Sequence, residues 1–414
     1  MASTTERDAP ADAHPGMGFK QFVAIIAAMM ATNALAIDSM LPALPEIGHA
    51  LGIASDNQRQ WIITAYLLGF GSAQIVYGPL ADRFGRKPVL LVGLGIYTVA
   101  SLFAALASSF ETMIFARVIQ GIGAASTRVL AVSIVRDCYS GRKMAQVMSL
   151  AFIVFLAVPV IAPSVGQAIV LVAPWPWIFC VLAVFGASVS LWVTFRLPET
   201  LHPDDRSTIA PARILAAFRL ALTNRVALGY MLAMTLLLGS LFGFINSAQQ
   251  IFVDTFQAPA LFTTIFALIA VAIAVAALVN ARLVGRFGTR RISHTMLLGY
   301  IAFAVVHAAV ALSGHENIWT FSVLQSGMMF CFGLTGPNFG SMAMEPLGHI
   351  AGTASSIQGF VTTVGGALIG FYIGQSFNGT TGPLMVGFAA CGILALVMVL
   401  VAEGGRLFTP RQGA

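Results

Sequence analysis

The sequence predicts an all-α integral membrane protein with twelve transmembrane helices in two pseudo-symmetric six-helix halves. Of its 414 residues, 58% are hydrophobic and only 9% are charged, whereas soluble globular domains carry about 25% charged residues. The apolar runs reach the roughly 20 residues that a transmembrane helix needs, and they lack the alternation of transmembrane β-strands. Mean hydropathy is +0.86. The polar and charged residues are too few to cover the surface of a soluble protein of this length.

The basic residues predict the orientation. If the N-terminus is cytoplasmic, nearly all of the 22 Lys and Arg residues fall in cytoplasmic segments; Arg59 alone falls outside, and Arg117 and Arg128 fall within a span. Cytoplasmic loops of membrane proteins carry an excess of these residues. We therefore expect a multi-pass protein of the cell (bacterial inner) membrane with both termini cytoplasmic. The net charge of +6 then reflects orientation, and no nucleic-acid partner is expected.

Charge and proline content divide the chain into segments. Pro198, Pro203 and Pro211 lie in its longest polar connection, which is predicted to be a linker between the two halves. The predicted divisions are a cytoplasmic tail (1–18), the N-terminal half (19–195), the linker (196–225), the C-terminal half (226–402) and a second tail (403–414). The polar N-terminal stretch lacks the apolar region of a signal peptide.

The two halves repeat a loop pattern. Gly78-Pro-Leu-Ala-Asp82-Arg83-Phe84-Gly85-Arg86-Lys87 lies between the second and third spans. Between the eighth and ninth spans, Arg286-Phe287-Gly288 is again followed by basic residues. A parallel internal repeat explains the recurrence at matched places.

These residues resemble the major facilitator superfamily, and within it the drug:proton antiporters of the Bcr/CflA branch. The Gly78 to Lys87 loop is similar to the superfamily's G-x-L-a-D-r-x-G-r-k motif, and Arg117-Val-Ile-Gln120-Gly121-Ile-Gly123 to its R-x-x-Q-G-x-G motif. Asp38-Ser-Met-Leu-Pro42-Ala-Leu-Pro45 is similar to the branch signature D-x-x-L-P-A-L-P. A second branch signature begins at Ala351. The resemblance covers essentially the whole chain.

The antiporter motif of the fifth span is incomplete. It runs from Val158 to Gln167 and keeps Pro163 and Gly166, whereas three of the motif's glycines are replaced; Pro159 lies within the same stretch. Some drug antiporters also place a second acid two turns before the first-span aspartate, where this chain has Met30. The sequence therefore offers Asp38 as its single carboxylate inside a span.

Asp38 and Arg117 are the predicted proton-coupling residues. Charges within a span cost at least about 2.5 to 3.5 kcal/mol on insertion scales, so each needs a partner or a watery cavity. We expect Asp38 to exchange protons and Arg117, at a similar depth, to be neutralised alternately by Asp38 or substrate. The alternatives are that Asp38 only caps the turn at Pro42, and that Arg117 forms a static salt bridge.

Arg128 and a set of polar residues are predicted to line the substrate cavity. Arg128 follows Arg117 by three helical turns, within about 20° and roughly 16 Å of rise, so it could attract an anionic substrate; alternatively, it extends to the inner interface. The remaining predicted cavity residues could instead bond neighbouring helices. They are Asn33, Tyr66, Gln74, Gln120, Asn246, Gln249, Asn338 and Gln358.

The loop after the second span is predicted to gate the cytoplasmic side. The resemblance implies that Asp82 caps a helix end and pairs with Arg136 or Arg142, with Arg86 close by, and that this lock breaks when the inner side opens. A solvated turn is the alternative. The predicted gating residues are Gly78, Asp82, Arg83, Gly85, Arg86, Arg136 and Arg142.

The predicted function is secondary active export of drug-like or metabolite small molecules in exchange for protons, by alternating access. Amphipathic antibiotics of the bicyclomycin or chloramphenicol type are the substrates that the resemblance implies. A proton-coupled importer or facilitator of a small nutrient is the alternative, and a membrane-embedded enzyme a distant one, because the histidines show no ligand spacing with carboxylates. A channel would need charge rings or a filter repeat, which are missing.

No cofactor or metal is predicted, and the proton is the expected coupling ion. The chain lacks the G-x-x-x-x-G-K-[ST] motif of nucleotide-driven pumps. Cys138, Cys180, Cys331 and Cys391 show no metal-ligand spacing and are expected to pack within spans. The expected partners are a small-molecule substrate and the lipid bilayer, with the monomer as the functional unit.

Overall fold

The computed structural model describes residues 17–206 and 211–408. Within these ranges the chain forms α-helices with short 3-10 and π segments, and no β-strand. In the described part of the chain, twelve helical segments are long and apolar enough to cross a membrane. The predicted fold class is therefore confirmed.

The helices follow one another with short connections. The first eight are α1 (Phe19–Asp38), α2 (Leu44–Ala50), α3 (Trp61–Phe84), α4 (Arg86–Ala105), α5 (Phe110–Cys138), α6 (Gly141–Val172), α7 (Pro176–Arg196) and α8 (Pro211–Thr223). The other six are α9 (Arg225–Gln250), α10 (Phe262–Phe287), α11 (Thr289–Leu312), α12 (Ile318–Met344), α13 (Ala351–Gln375) and α14 (Gly382–Glu403). All except α2 and α8 are long enough to span the bilayer. We call the end of the bundle where α1 begins the inner end, and the opposite end the outer end.

Two seams join the halves. Helix α3 packs against α13, and α6 packs against α10. Glycines allow the first seam to close: a Cβ on Gly71 would lie 2.7 Å from Val364, and one on Gly359 would lie 2.1 Å from the side chain of Gln74. Small residues are the usual means of close helix approach in membranes, where no hydrophobic force drives helices together.

Close packing also fixes α5 within the N-terminal half. A Cβ on Gly121 would lie 2.1 Å from the carbonyl oxygen of Tyr66 in α3, and one on Gly69 would lie 2.2 Å from that of Val118 in α5. Another on Gly123 would lie 2.4 Å from the backbone nitrogen of Tyr97 in α4. Helix α5 is therefore held backbone to backbone between α3 and α4.

Helices α2 and α8 were not predicted. Helix α8 lies within the predicted linker, with Ala217 and Ala221 buried and Phe218 packed edge to face on Phe360 of α13 at 6.3 Å. The proline-rich composition of this segment indicated a loop. Pro211, however, occupies the first turn of the helix, where a missing N–H costs nothing.

Candidate functional site

Asp38 is the last residue of α1 and is enclosed by α6. Its side chain is only 4% exposed, and it forms no hydrogen bond or ion pair with the described residues. Helix α6 approaches closely because of the antiporter-motif glycine: a Cβ on Gly166 would lie 1.7 Å from the carbonyl oxygen of Ser39. Pro159 and Pro163 lie in the same helix. Asp38 is thus a buried carboxyl group without a partner beside the antiporter motif.

Arg117 lies fully buried between α1, α3 and α5. Its guanidinium donates to the carbonyl oxygens of Ala36 at 3.1 Å and Ile62 at 3.0 Å, and to Oε1 of Gln120 at 2.5 Å. Gln120 donates in turn to Ser101 at 2.7 Å. Arg117 therefore bonds to the backbone two residues before Asp38, and the predicted direct pair with Asp38 is not formed in this conformation.

Tyr66 connects these groups. Its ring lies under the Arg117 guanidinium at 4.5 Å, and its hydroxyl donates to Oδ1 of Asn33 at 2.7 Å. Both Asp38 and Arg117 act electrostatically on the phenol. Asn33, Asp38, Tyr66, Arg117 and Gln120, all predicted from the sequence, therefore meet in one part of the N-terminal half.

Arg128 is exposed and makes no hydrogen bond or ion pair with the described residues. It projects from the same face of α5 as Arg117, which reaches carbonyls of α1 and α3. That face points into the bundle and not at lipid. Because an unpaired guanidinium is costly in hydrocarbon, Arg128 must face a space that water or a ligand can enter.

The five predicted cavity residues not yet described, Gln74, Asn246, Gln249, Asn338 and Gln358, fall into two groups. Gln74 donates to Thr363 at 3.3 Å and Asn246 to Thr64 at 3.5 Å, so both cross between the halves. The others lie within the C-terminal half. There, Asn338 and Asn280 bond each other, Gln358 donates to the Gly340 carbonyl at 3.2 Å, and Gln249 is buried with its Nε2 unpartnered among the described residues.

A cluster of four carboxamide side chains, not predicted from the sequence, joins the two halves at the outer end. We call it the amide clasp; it consists of Asn57, Gln60, Gln250 and Gln375. Gln60 donates to Gln250 at 2.7 Å, and Gln250 donates to Asn57 at 2.8 Å. Gln375 donates to the Asn57 carbonyl at 2.6 Å, and Asn57 returns a bond to the Gln375 carbonyl at 3.1 Å. Asn57 and Gln60 lie just before α3 in the N-terminal half, and they bond Gln250 of α9 and Gln375 of α13 in the C-terminal half.

At the inner end, the predicted gating loop is organised around Arg86. Its guanidinium pairs with Asp82 and with Asp137, the latter at 2.9 Å, and its backbone N–H donates to Glu199 at 2.8 Å. Gly85 has φ of 100°, and a Cβ there would lie 2.4 Å from Glu199. Only glycine therefore fits this position. The partners Asp137 and Glu199 were missed.

The remaining gating residues lie around this loop. A Cβ on Gly78 would lie 3.2 Å from Ser356 of α13, and Nη1 of Arg136 lies 3.6 Å from the position of a Cβ on Gly352. Arg83 lies over the ring of Phe84 at 5.1 Å. Asp82 bonds Arg86, and no bond joins it to Arg136 among the described residues. The side chain of Arg142 lies outside the described residues.

An arginine in the C-terminal half makes contacts equivalent to those of Arg86. Arg290, two residues after Gly288 (φ 77°), pairs with Glu345 at 2.7 Å and Glu403 at 2.9 Å. Tyr230 also donates to Glu403 at 2.7 Å. In each half, therefore, an arginine at the start of the third span ties together the inner ends of the fourth and sixth spans. The loop repeat detected in the sequence has this structural basis.

A second buried acidic group lies near the outer end. His307 bonds Glu316 at 2.5 Å, and Thr381 donates to the same carboxylate. The histidine is fully buried, and the Glu316 side chain is 5% exposed. This pair was not predicted, because its two residues lie on a helix and on the loop that follows it and so share no helical spacing. The pair fastens this loop to α14.

Comparison with known proteins identifies the family. The model of the Major Facilitator Superfamily matches residues 23–370. The chain is 32% identical to the multidrug resistance protein MdtL of Klebsiella pneumoniae over 90% of this chain and 93% of the relative. It is 29% identical to the bicyclomycin resistance protein homolog of Haemophilus influenzae, over 87% and 90%. A crystal structure of the D-xylose-proton symporter has a TM-score of 0.70 at 14% identity, covering 94% of this chain and 97% of that one.

These matches confirm the resemblance drawn from the motifs, both to the superfamily and to its drug-resistance members. The relatives are named for transport and resistance, and the protein is a multi-pass membrane transporter of small molecules, not an enzyme. The chain belongs to the Major Facilitator Superfamily.

Proposed function

We propose that the protein exports drug-like or metabolite small molecules across the cell membrane in exchange for protons, by alternating access. The observation that carries the proposal is Asp38, a carboxyl group that is buried, has no partner among the described residues and lies beside the Arg117 network. Burial without a cationic partner favours a neutral carboxyl, which must gain a proton before it is enclosed and lose it when water or a cation approaches. The names of the relatives, multidrug and bicyclomycin resistance, support export.

The position of Asp38 suits exchange. A carboxyl at the end of α1, against the fifth-span motif, moves with the N-terminal half when the halves rock about a midplane site. Arg117 is held by carbonyl groups and a carboxamide, which are neutral acceptors. An ionised Asp38 would be a stronger acceptor for this guanidinium. Loss of the proton therefore changes the contacts of α1, α3 and α5 together.

Arg128 favours a substrate that carries a carboxylate or another hydrogen-bond acceptor. Its guanidinium is unpaired among the described residues and faces the interior of the bundle. A planar guanidinium binds carboxylate in two-point geometry. Substrate bound there would supply the partner that the protein itself does not.

The experiment is transport in membrane vesicles with an imposed pH gradient. Inside-out vesicles with an acid interior should accumulate a labelled compound from a panel that includes bicyclomycin and chloramphenicol, and dissipation of the gradient should stop accumulation. Growth assays of cells expressing the protein, with the same panel, select the compounds to label. Accumulation of a compound on the alkaline side would contradict export by exchange.

A proton-coupled importer or facilitator of a small nutrient is the alternative with the same fold. The likeness to a D-xylose-proton symporter extends to the fold alone. The same vesicles separate the two functions, since a symporter moves substrate and protons in one direction and a facilitator ignores the gradient. The cytoplasmic location of the termini, the bacterial inner membrane and the monomeric state belong to the proposal. Protease accessibility and cross-linking test them.

A further inference from the structure

We propose that the amide clasp is the outer gate of the transporter, and that Arg117 connects this gate to Asp38. The role of the clasp as a gate does not depend on which substrate the transporter carries. The connection to Asp38 rests on the proposed proton exchange. None of the sequence motifs described above contains a clasp residue.

The clasp closes the outer end of the seam between the halves. Gln60 and Gln250 are almost fully buried, at 1% and 2% exposure. Gln60 also donates to the Gly374 carbonyl at 3.0 Å, and Asn57 donates to the Phe377 carbonyl at 3.0 Å. Side chains of each half therefore donate hydrogen bonds to side-chain or backbone oxygens of the other half. The start of α3 cannot separate from α9 and α13 unless these bonds break.

The chemistry of the clasp suits a gate that must open repeatedly. Carboxamides donate and accept, so they satisfy one another when closed and bond water equally well when open. The net free energy of each such bond is small, since bonds to water replace it. A gate of buried ion pairs would instead leave unpaired charges as it opens. The amide clasp can therefore hold the outer end closed without fixing it there.

The clasp contains no titratable group, so protons must act on it from elsewhere. Asp56 and Arg59, on the rim, pair with each other, and Asp254 of α9's continuation lies close enough to interact with both. The Asp56 side chain is 60% exposed, so water screens this rim. Control of the gate by Asp38 is the arrangement that the contacts support.

Arg117 makes the contacts that such control needs. It donates to the Ala36 carbonyl, two residues before Asp38, and to the Ile62 carbonyl, two residues after Gln60. Tyr66 is the titratable group that interacts electrostatically with Asp38, and Arg117 lies over the ring of the same tyrosine. An ionised Asp38 would compete with both carbonyls for the guanidinium. The start of α3, and Gln60 with it, would then lose an anchor.

The test is the labelling of a cysteine placed behind the gate. Thr64 is fully buried at the seam, one turn inside Gln60, and bonds Asn246 of the other half. Thr64→Cys, in a background whose four native cysteines are replaced, is treated in whole cells with a membrane-impermeant maleimide. Gln60→Leu should raise the labelling rate about tenfold, equivalent to about 1.4 kcal/mol of lost closure. Asn378→Leu is the matched control, because that exposed carboxamide bonds only Thr380 in its own turn.

The pH dependence of labelling tests the connection. Because the thiolate fraction of any cysteine changes with pH, the rate at Thr64→Cys is divided by that of an exposed reference, Asn378→Cys, at the same pH. In the otherwise unaltered chain this relative rate should change with external pH; with Arg117→Lys, which keeps the charge but cannot hold both carbonyls, it should not. Equal labelling of the Gln60→Leu and Asn378→Leu variants would overturn the clasp as a gate. A pH dependence that survives Arg117→Lys would overturn the connection.

A second measurement tests the gate without Gln60→Leu and so remains decisive if that variant does not fold. Asn57→Cys with Gln375→Cys joins two residues that exchange side-chain-to-backbone bonds. Oxidation should stop transport of a labelled panel compound, and reduction should restore it. Transport by the oxidised protein would contradict the proposal. Labelling needs neither substrate nor a gradient, so failure of the gate is distinguishable from failure of proton-driven export.

Discussion

Replacement of Gly166 by alanine tests whether α6 must touch the end of α1 for the proton site to form. The added Cβ would lie 1.7 Å from the Ser39 carbonyl oxygen, so the helices would have to separate by about 1.7 Å to restore an ordinary contact of 3.4 Å. Overpacking of this kind costs roughly 1 to 3 kcal/mol. The contact partner is backbone and cannot rotate away. We expect Gly166→Ala to lower the thermal unfolding midpoint by a few degrees and to impair proton-driven transport.

The matched control is Gly95→Ala in α4. A Cβ there meets nothing within 4 Å, and alanine is the better helix former by about 1 kcal/mol. Purified variants are compared by thermal unfolding in detergent and by transport in vesicles. If Gly166→Ala unfolds and transports like the unaltered protein, the close approach of α6 to Ser39 has no role in the site.

Two further substitutions test other parts of the site. Arg86→Gln removes the cation that pairs with Asp82 and Asp137 and should cost about 3 kcal/mol, the lower end for a buried pair because Asp82 is half exposed. Thermal unfolding should show no comparable loss for the exposed Arg83→Gln. Arg128→Gln should weaken transport of carboxylate-bearing compounds by roughly tenfold or more, the range for one charge-assisted contact. Neutral compounds should be less affected, and equal effects on both would contradict a direct contact with the anion.

The fold could be predicted from the sequence because its main determinants are local. A run of about 20 apolar residues spans a bilayer whatever its neighbours are, and the loop charges orient it. Arg117 and Gln120 were predicted from a motif, and Tyr66 and Asn33 from their polar groups within spans; the structure brings all four together. The clearest misses in the fold are the two short helices α2 and α8.

The amide clasp could not be predicted in the same way. Gln60 and Gln250 are 190 positions apart, and Asn57 and Gln375 are 318 apart. Each is a single polar residue near a span end, where polar residues are common. Their pairing depends on how the two halves dock, and no periodicity within one segment carries that information. Asp137 and Glu199 were missed for the same reason, since they gain significance only beside Arg86.

The central claim is that Asp38 carries the exchanged proton, and transport by Asp38→Asn tests it most directly. Asparagine preserves the size of the side chain but cannot ionise. In inside-out vesicles with an acid interior, the unaltered protein should accumulate a labelled panel compound, whereas Asp38→Asn should show no gradient-driven accumulation while still folding and binding the compound. Gradient-driven accumulation by Asp38→Asn equal to that of the unaltered protein would contradict the account.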